Sequence, residues 1–298
     1  MILALLAFFL VKNRNPQTSQ ITDASKIQIS TSFYPIYFFV SRIGGDKIEV
    51  RNITPAGGEP HDYEPTPQDI SAIQDSKLLI LNGGGLEAWG DKIKDQLKDK
   101  NTRVLVVGEG IANQQVEEED KTIQDPHVWL SPALAKQIAG KIAQAIEEVD
   151  PQNKDYYMQN EKHLEDKLNK LDNDYKSGLA GCKSKNIITS HAAFGYLATS
   201  YGLKQVSVSG VSPDEEPSAQ QLAEVANFAR KNNVKYIFFE SLVSPKLSET
   251  IAKEVGAKTL VLNPIEGLTD NEIKSGASYT SVMEDNLKNL KIALECSP

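Results

Sequence analysis

The feature that most restricts this chain is a stretch of about 27 residues, Asn153–Leu179, with no proline and no glycine before Gly178. Within it Tyr157, Leu164, Leu168, Leu171 and Tyr175 fall at spacings of seven, four, three and four, and Glu, Lys, Asp and Asn fill most of the rest. That spacing puts one apolar stripe along a single helix. At 1.5 Å per residue the helix is a rod roughly 40 Å long. A flexible linker would be rich in Gly and Ser. This one is stiff, so the flanking halves are expected to sit on a strut and swing little.

Both halves alternate β-rich apolar runs with amphipathic segments. The first half offers Lys26–Phe33, Lys47–Thr54, Lys77–Asn82 and Thr102–Val107 as strands; the second offers Asn186–Ser190, Gln205–Ser209, Lys235–Glu240 and Thr259–Leu262. Runs such as Leu78-Leu79-Ile80-Leu81 and Tyr236-Ile237-Phe238-Phe239 are continuously apolar, as in parallel strands covered on both faces. The expected class is therefore α/β: two four-strand parallel-sheet lobes joined by one long backbone helix. Residues 26–150 form the N-terminal lobe, 151–182 the linking helix and 183–298 the C-terminal lobe. Thr66-Pro67, Ser131-Pro132 and Ser244-Pro245 each place a hydroxyl at a helix cap with proline next, and Asp69 adds a carboxylate near the first of these helix starts.

Residues 1–25 are of another kind. Met1–Val11 is wholly apolar and is followed by Lys12, Asn13 and Arg14. The run matches the core of an export signal and falls short of the roughly 20 residues that span a bilayer. Its basic residues follow the apolar run instead of preceding it. We therefore expect the remnant of an export signal or membrane anchor, with polar Asn13–Ser25 as a tether. Cys182 and Cys296 are the only cysteines and belong to no Cys-x-x-Cys pair, which argues against a thiolate metal site. In an exported protein they could form one disulfide pinning the last helix; two independent buried thiols are the alternative.

Asp and Glu outnumber Lys and Arg 40 to 32, for a net charge of −8. A nucleic-acid partner would need a basic face, so none is expected. There are only four histidines, and three of them, His61, His127 and His191, follow predicted strands. Ligands of open parallel sheets collect beyond the carboxyl ends of strands. Neutral imidazole is a common metal ligand well suited to zinc. Three imidazoles from two lobes could therefore meet on one cation in the inter-lobe cleft, with prolines stiffening the loops that carry them. His163 lies in a charged helical stretch and reads as solvated. A tetrahedral site needs a fourth ligand. Glu266 holds the strand-end place that corresponds to His127, and Asp270 competes four residues on. Asp125 and Glu59 could accept the outer imidazole N–H bonds, or could be ordinary turn carboxylates.

Six segments carry a resemblance: Gly58-Glu-Pro-His61-Asp-Tyr-Glu-Pro-Thr-Pro67, Leu86-Glu-Ala-Trp89, Asp125-Pro-His127-Val-Trp-Leu130, Ser190-His191-Ala-Ala-Phe-Gly-Tyr196, Phe239-Glu240-Ser-Leu-Val-Ser-Pro-Lys246 and Asn263-Pro-Ile-Glu266-Gly-Leu268. Through them the chain resembles the metal-binding cluster of ABC-transporter solute-binding proteins over nearly all of Lys26 to Cys296. The resemblance implies His61, His127, His191 and Glu266 as ligands of one metal in the cleft. It also implies an extracytoplasmic monomer that delivers the metal to a membrane permease. Manganese-type members tend to carry Glu where His191 stands. Three imidazoles and one carboxylate favour Zn2+ over Mn2+, which prefers more oxygen. Many zinc members have a histidine-rich acidic loop before the second histidine; here Val116-Glu-Glu-Glu-Asp120 keeps only the acids.

Three other readings compete. A zinc-dependent hydrolase would leave the fourth metal position to water and use Glu240 or Glu59 as base. A dinucleotide enzyme would use Gly83-Gly-Gly85-Leu-Glu-Ala88, but that motif follows the third strand of its half, and Glu87 puts negative charge where pyrophosphate would sit. A surface adhesin is compatible with the family but has no partner surface written in the chain. If histidines hold the metal, binding should weaken as pH falls through and below about 6.5.

Overall fold

The computed structural model describes residues 26–118 and 121–297. The expected signal or anchor and tether, residues 1–25, lie outside the described residues. So do Glu119 and Asp120 at the tip of the acidic segment.

The first lobe runs β1 (Ile27–Thr31), α1 (Tyr34–Gly44), β2 (Ile48–Asn52), α2 (Pro67–Asp75), β3 (Leu78–Leu81), α3 (Gly90–Leu97) and β4 (Arg103–Val106). Its four strands are parallel in the order β2-β1-β3-β4. A short antiparallel hairpin, β5 (Gln115–Glu118) and β6 (Lys121–Gln124), then precedes α4 (Pro132–Val149) and the long α5 (Lys154–Ala180). The second lobe runs β7 (Asn186–Thr189), α6 (Gly195–Tyr201), β8 (Lys204–Ser207), α7 (Ala219–Lys231), β9 (Tyr236–Phe239), α8 (Lys246–Val255), β10 (Lys258–Val261), α9 (Asp270–Lys274) and α10 (Tyr279–Ala293). Its parallel order β10-β9-β7-β8 is that of the first lobe read from the other edge. Each lobe therefore reverses strand order between its first and third strands. That is where a ligand crevice opens in such sheets.

All eight predicted strands form; six are shorter than expected by one to three residues, and β8 and β10 each begin one residue earlier and end one or two residues earlier than expected. α5 buries the predicted stripe of Tyr157, Leu164, Leu168, Leu171 and Tyr175, together with Leu179. These residues belong to one core that also takes in Ile29 and Phe39 of the first lobe and Leu197, Phe238 and Leu290 of the second. Smaller cores fill the opposite faces, around Ile73, Leu79 and Ile93 under α2 and α3 and around Ile188, Val225 and Ile251 under α7 and α8. Polar bonds tie α5 to both lobes: Asn160 Nδ2 donates to the Ile43 carbonyl (2.9 Å) and Tyr175 O–H to that of Met283 (2.7 Å).

Cys182 and Cys296 form a disulfide between the end of α5 and the end of α10, across 114 residues. Fixing so long a loop in the unfolded chain contributes about 4–5 kcal/mol in the chain-entropy model. Cys296→Ser is thus expected to lower unfolding stability by several kcal/mol. Denaturant melts under non-reducing conditions would show it, and an unchanged midpoint would contradict it.

The helix starts need correction at two points. Thr66 caps α2 in a reciprocal box with Asp69, as the spacing suggests. Ser131 precedes α4, but its hydroxyl pairs with the Ser200 hydroxyl (2.9 Å) and caps no helix amide. At Ser244-Pro245 the proline is itself the cap residue and α8 starts one position later. The acidic segment expected as a loop is the hairpin, which Val116 pairing with Ile123 holds in register.

Candidate metal centre

Four loops deliver the site. His61 follows β2, His127 follows the hairpin, His191 follows β7 and Glu266 follows β10. His127, His191 and Glu266 are almost wholly buried, and the side chain of His61 is 8% exposed. The four residues predicted from sequence come together, each offering one donor atom within 4.8 Å of the others. Glu266 Oε1 lies 3.5 Å from His61 Nε2, 3.1 Å from His127 Nε2 and 3.2 Å from His191 Nε2, and the last two nitrogens are 3.3 Å apart. A tetrahedral zinc site with arms of about 2.0–2.1 Å has donor–donor edges of about 3.3 Å. His61 Nε2 and Glu266 Oε2 are buried without a hydrogen-bond partner. Such orphans are rare unless an ion or water completes them. Asp270 does not join the cluster: it is exposed in the first turn of α9.

Carboxylates behind the ring fix two imidazoles. Asp125 Oδ1 accepts from His127 Nδ1 (2.8 Å) and from the His127 amide (2.9 Å). Glu240 Oε1 accepts from His191 Nδ1 (2.7 Å). Bonds at Nδ1 leave both Nε2 atoms free to face inward as ligands. Glu59, expected as an imidazole partner, instead accepts the backbone amide of His61 (3.3 Å). Glu240, read as a candidate base, is the orienting partner of His191; β7 and β9 are neighbours in the sheet, which brings these two residues side by side.

The backbone is shaped to the same end. The His191 carbonyl accepts from Thr189 Oγ1 (2.7 Å) and Gln205 Nε2 (3.0 Å). Ile265 is held at φ +61°, a left-handed conformation costing a β-branched residue about 1–3 kcal/mol. Asn263 Oδ1 accepts its amide (2.7 Å), and its buried side chain anchors it in the core, so the next residue, Glu266, turns inward. Trp129, two residues after His127, donates to the Pro264 carbonyl in the other lobe (2.8 Å). The neighbours of two ligands are thereby joined across the cleft.

Charge in the cluster is strongly linked. Burial opposes ionisation of Glu266, yet the His191 charge, the His127 and His191 imidazoles and the neighbouring His61 ring hold its carboxyl well below the usual range. Burial works against a charged His191 too; Glu240 and Glu266 outweigh it and raise its pKa well above the ordinary value. His127 is likewise raised by Asp125 and Glu266 against burial. Burial prevails at His61 and lowers its pKa. Glu59 is pushed up to about 9, by burial first and then by the charge of Glu266.

The Gly83–Gly85 turn has no dinucleotide geometry. Glu87 is buried and accepts the amides of Asn82 (2.7 Å) and Gly83 (2.9 Å), the donors a phosphate would require. Asn82 Nδ2 then donates to the Pro126 carbonyl (2.9 Å), so this turn buttresses the peptide before His127.

Fold and site together define a class: a two-lobed binding protein built on one long helix, with three nitrogens and one oxygen gathered between the lobes. The chain belongs to the family described as zinc-uptake complex component A, periplasmic, whose model matches residues 29–293. It is 40% identical over 293 residues to the high-affinity zinc uptake system protein ZnuA of Bacillus subtilis, covering 95% of this chain and 92% of that protein. To the zinc-binding lipoprotein AdcA of Streptococcus pneumoniae it is 39% identical over 302 residues; these make up 98% of this chain but 60% of AdcA. Among solved structures, the Zn(II)-bound ZnuA-like domain of S. pneumoniae AdcA matches with a TM-score of 0.79 and 40% identity, over 91% of this chain and 99% of that domain.

Proposed function

We propose that this chain is an extracytoplasmic solute-binding protein that takes up one Zn2+ on His61, His127, His191 and Glu266 and delivers it to the permease of an ABC importer. The observation that carries the reading is the convergence of three imidazole nitrogens and one carboxylate oxygen, from both lobes, within 4.8 Å of one another, with Glu266 Oε1 3.1–3.5 Å from each nitrogen. Such a donor set suits zinc; manganese favours octahedral, oxygen-rich sites. With Glu266 in the fourth place no position is left for a reactive water, and Glu240 is engaged by His191, so the site stores metal and does no hydrolysis. The zinc-uptake relatives support delivery to a transporter. The disulfide fits an oxidising compartment outside the cytoplasm. Among the described residues no helix is long and apolar enough to cross a membrane. We take residues 26–150 and 183–298 as the lobes and 151–182 as the link.

The test is a titration of metal-stripped protein with zinc in a thousandfold excess of manganese. One equivalent of zinc should bind and resist the manganese. Uptake of no zinc, or its displacement by manganese, would overturn the assignment.

A further inference from the structure

Resting on the zinc reading above, we infer that Gly195 and Tyr196, at the start of α6, are positioning residues that hold Asp125, and through it His127, from the opposite lobe. The argument begins with what fixes Asp125. Its Oδ1 takes both bonds to His127, and its amide donates to the Gln114 carbonyl (3.0 Å), closing the base of the hairpin. Its carbonyl accepts the hydroxyl of Tyr196 (3.3 Å). The same phenol oxygen accepts the amides of Asn113 (2.8 Å) and Gln114 (2.9 Å). One buried side chain from the second lobe thus satisfies three backbone groups at the hairpin base, on both strands leading to His127.

Gly195 sits against the other side of Asp125. A Cβ at position 195 would lie 2.6 Å from Asp125 Oδ2 and 3.1 Å from Gln114 Oε1. The first distance is far inside van der Waals contact. Asp125 is 1% exposed and anchored through Oδ1, so its carboxylate could yield only by letting go of His127. Asp125 Oδ2 is buried without a hydrogen-bond partner and lies where any side chain at position 195 would begin. Because Tyr196 and Gly195 follow His191 by only four or five residues, this contact locks the relative placement of His127 and His191, the two most buried ligands.

Removing partners behind metal-bound histidines typically costs 10- to 100-fold in affinity. Gly195→Ala and Tyr196→Phe are each expected to weaken zinc by about 10-fold or more. Tyr201→Phe is the control: it lies on the same helix and deletes a phenol bond to Asp172 (3.0 Å), far from the hairpin base. Zinc affinity is measured by competition with a chromophoric chelator, ligand geometry by the visible spectrum of the Co2+-loaded proteins, and folding by thermal melts of the metal-free forms. The inference predicts weakened zinc and an altered cobalt spectrum in both test variants, with Tyr201→Phe matching the parent in both. Parental affinity in both test variants, an equal loss in the control, or an unaltered cobalt spectrum overturns it. Should Gly195→Ala fail to fold, Tyr196→Phe decides alone. A parent protein that takes up no zinc would instead sink the functional reading itself.

Discussion

Replacing His191 with alanine is expected to weaken zinc binding by roughly a hundredfold or more while the lobes remain folded. Structural zinc sites bind with about 10–16 kcal/mol, so one of four ligands carries about 3 kcal/mol, worth about two powers of ten. His191 is also one of only two ligands from the second lobe, so its loss leaves Glu266 alone to tie that lobe to the ion. The fold should survive because the loop's own carbonyl is held by Thr189 and Gln205, not by the imidazole. A cost to the metal-free protein is expected as well. Glu240 loses the ring it pairs with, and buried carboxylates without partners are costly. Calorimetric titration alongside circular dichroism separates the two effects. Unchanged affinity in a folded variant would remove His191 from the site.

Zinc should stabilise the protein strongly, and more so as pH rises above the ordinary histidine range. At free zinc a thousandfold above Kd the stabilisation is about 4 kcal/mol, which for a chain of this size moves Tm by about 6–7 °C. Chelation should reverse it. The pH dependence follows from the shifts in the cluster. His191 and His127 have pKa values raised in the folded metal-free protein, and zinc must displace their protons. Their contribution to metal-free stability is fully present below about 6.5, their unfolded value, and is lost as pH rises through the raised folded values. Zinc affinity runs the other way and climbs over that same window. His61, kept neutral by burial, offers its nitrogen without releasing a proton. The expectation from unperturbed histidines, a fall centred near 6.5, is therefore displaced upward. Calorimetry at neutral pH in buffers of different ionisation enthalpy should detect at least one proton released per zinc. Affinity flat between pH 6 and 8 would contradict this account.

Much of this arrangement is legible in the chain before any coordinates. Four apolar residues in a row at Leu78–Leu81 cannot alternate between core and solvent, so a doubly covered strand follows. The Tyr157 to Tyr175 stripe has one helical solution. His61, His191 and Glu266 come after such strands, at the carboxyl ends where ligands collect, so they can be named from the chain; His127 is named on the same ground but reaches the site from the hairpin. What stayed hidden depends on strand order and on contacts between lobes. The pairing of Glu240 with His191 arises because the third strand of the second lobe lies beside the first, and 49 residues of spacing carry no trace of it. The reach of Tyr196 to the hairpin base crosses lobes altogether. The hairpin was masked by its acids, since a single apolar pair, Val116 with Ile123, marks strands that otherwise read as solvated loop. Ser131 looked like a cap because local spacing cannot reveal a better partner, Ser200, in another element.

X-ray absorption at the zinc edge of the loaded protein tests the central claim most directly. The account predicts one zinc with three nitrogen ligands and one oxygen ligand at about 2.0–2.1 Å, and loss of the oxygen scatterer's carboxylate signature in Glu266→Ala. A first shell containing sulfur, a six-oxygen shell, or a spectrum indifferent to Glu266→Ala would contradict it.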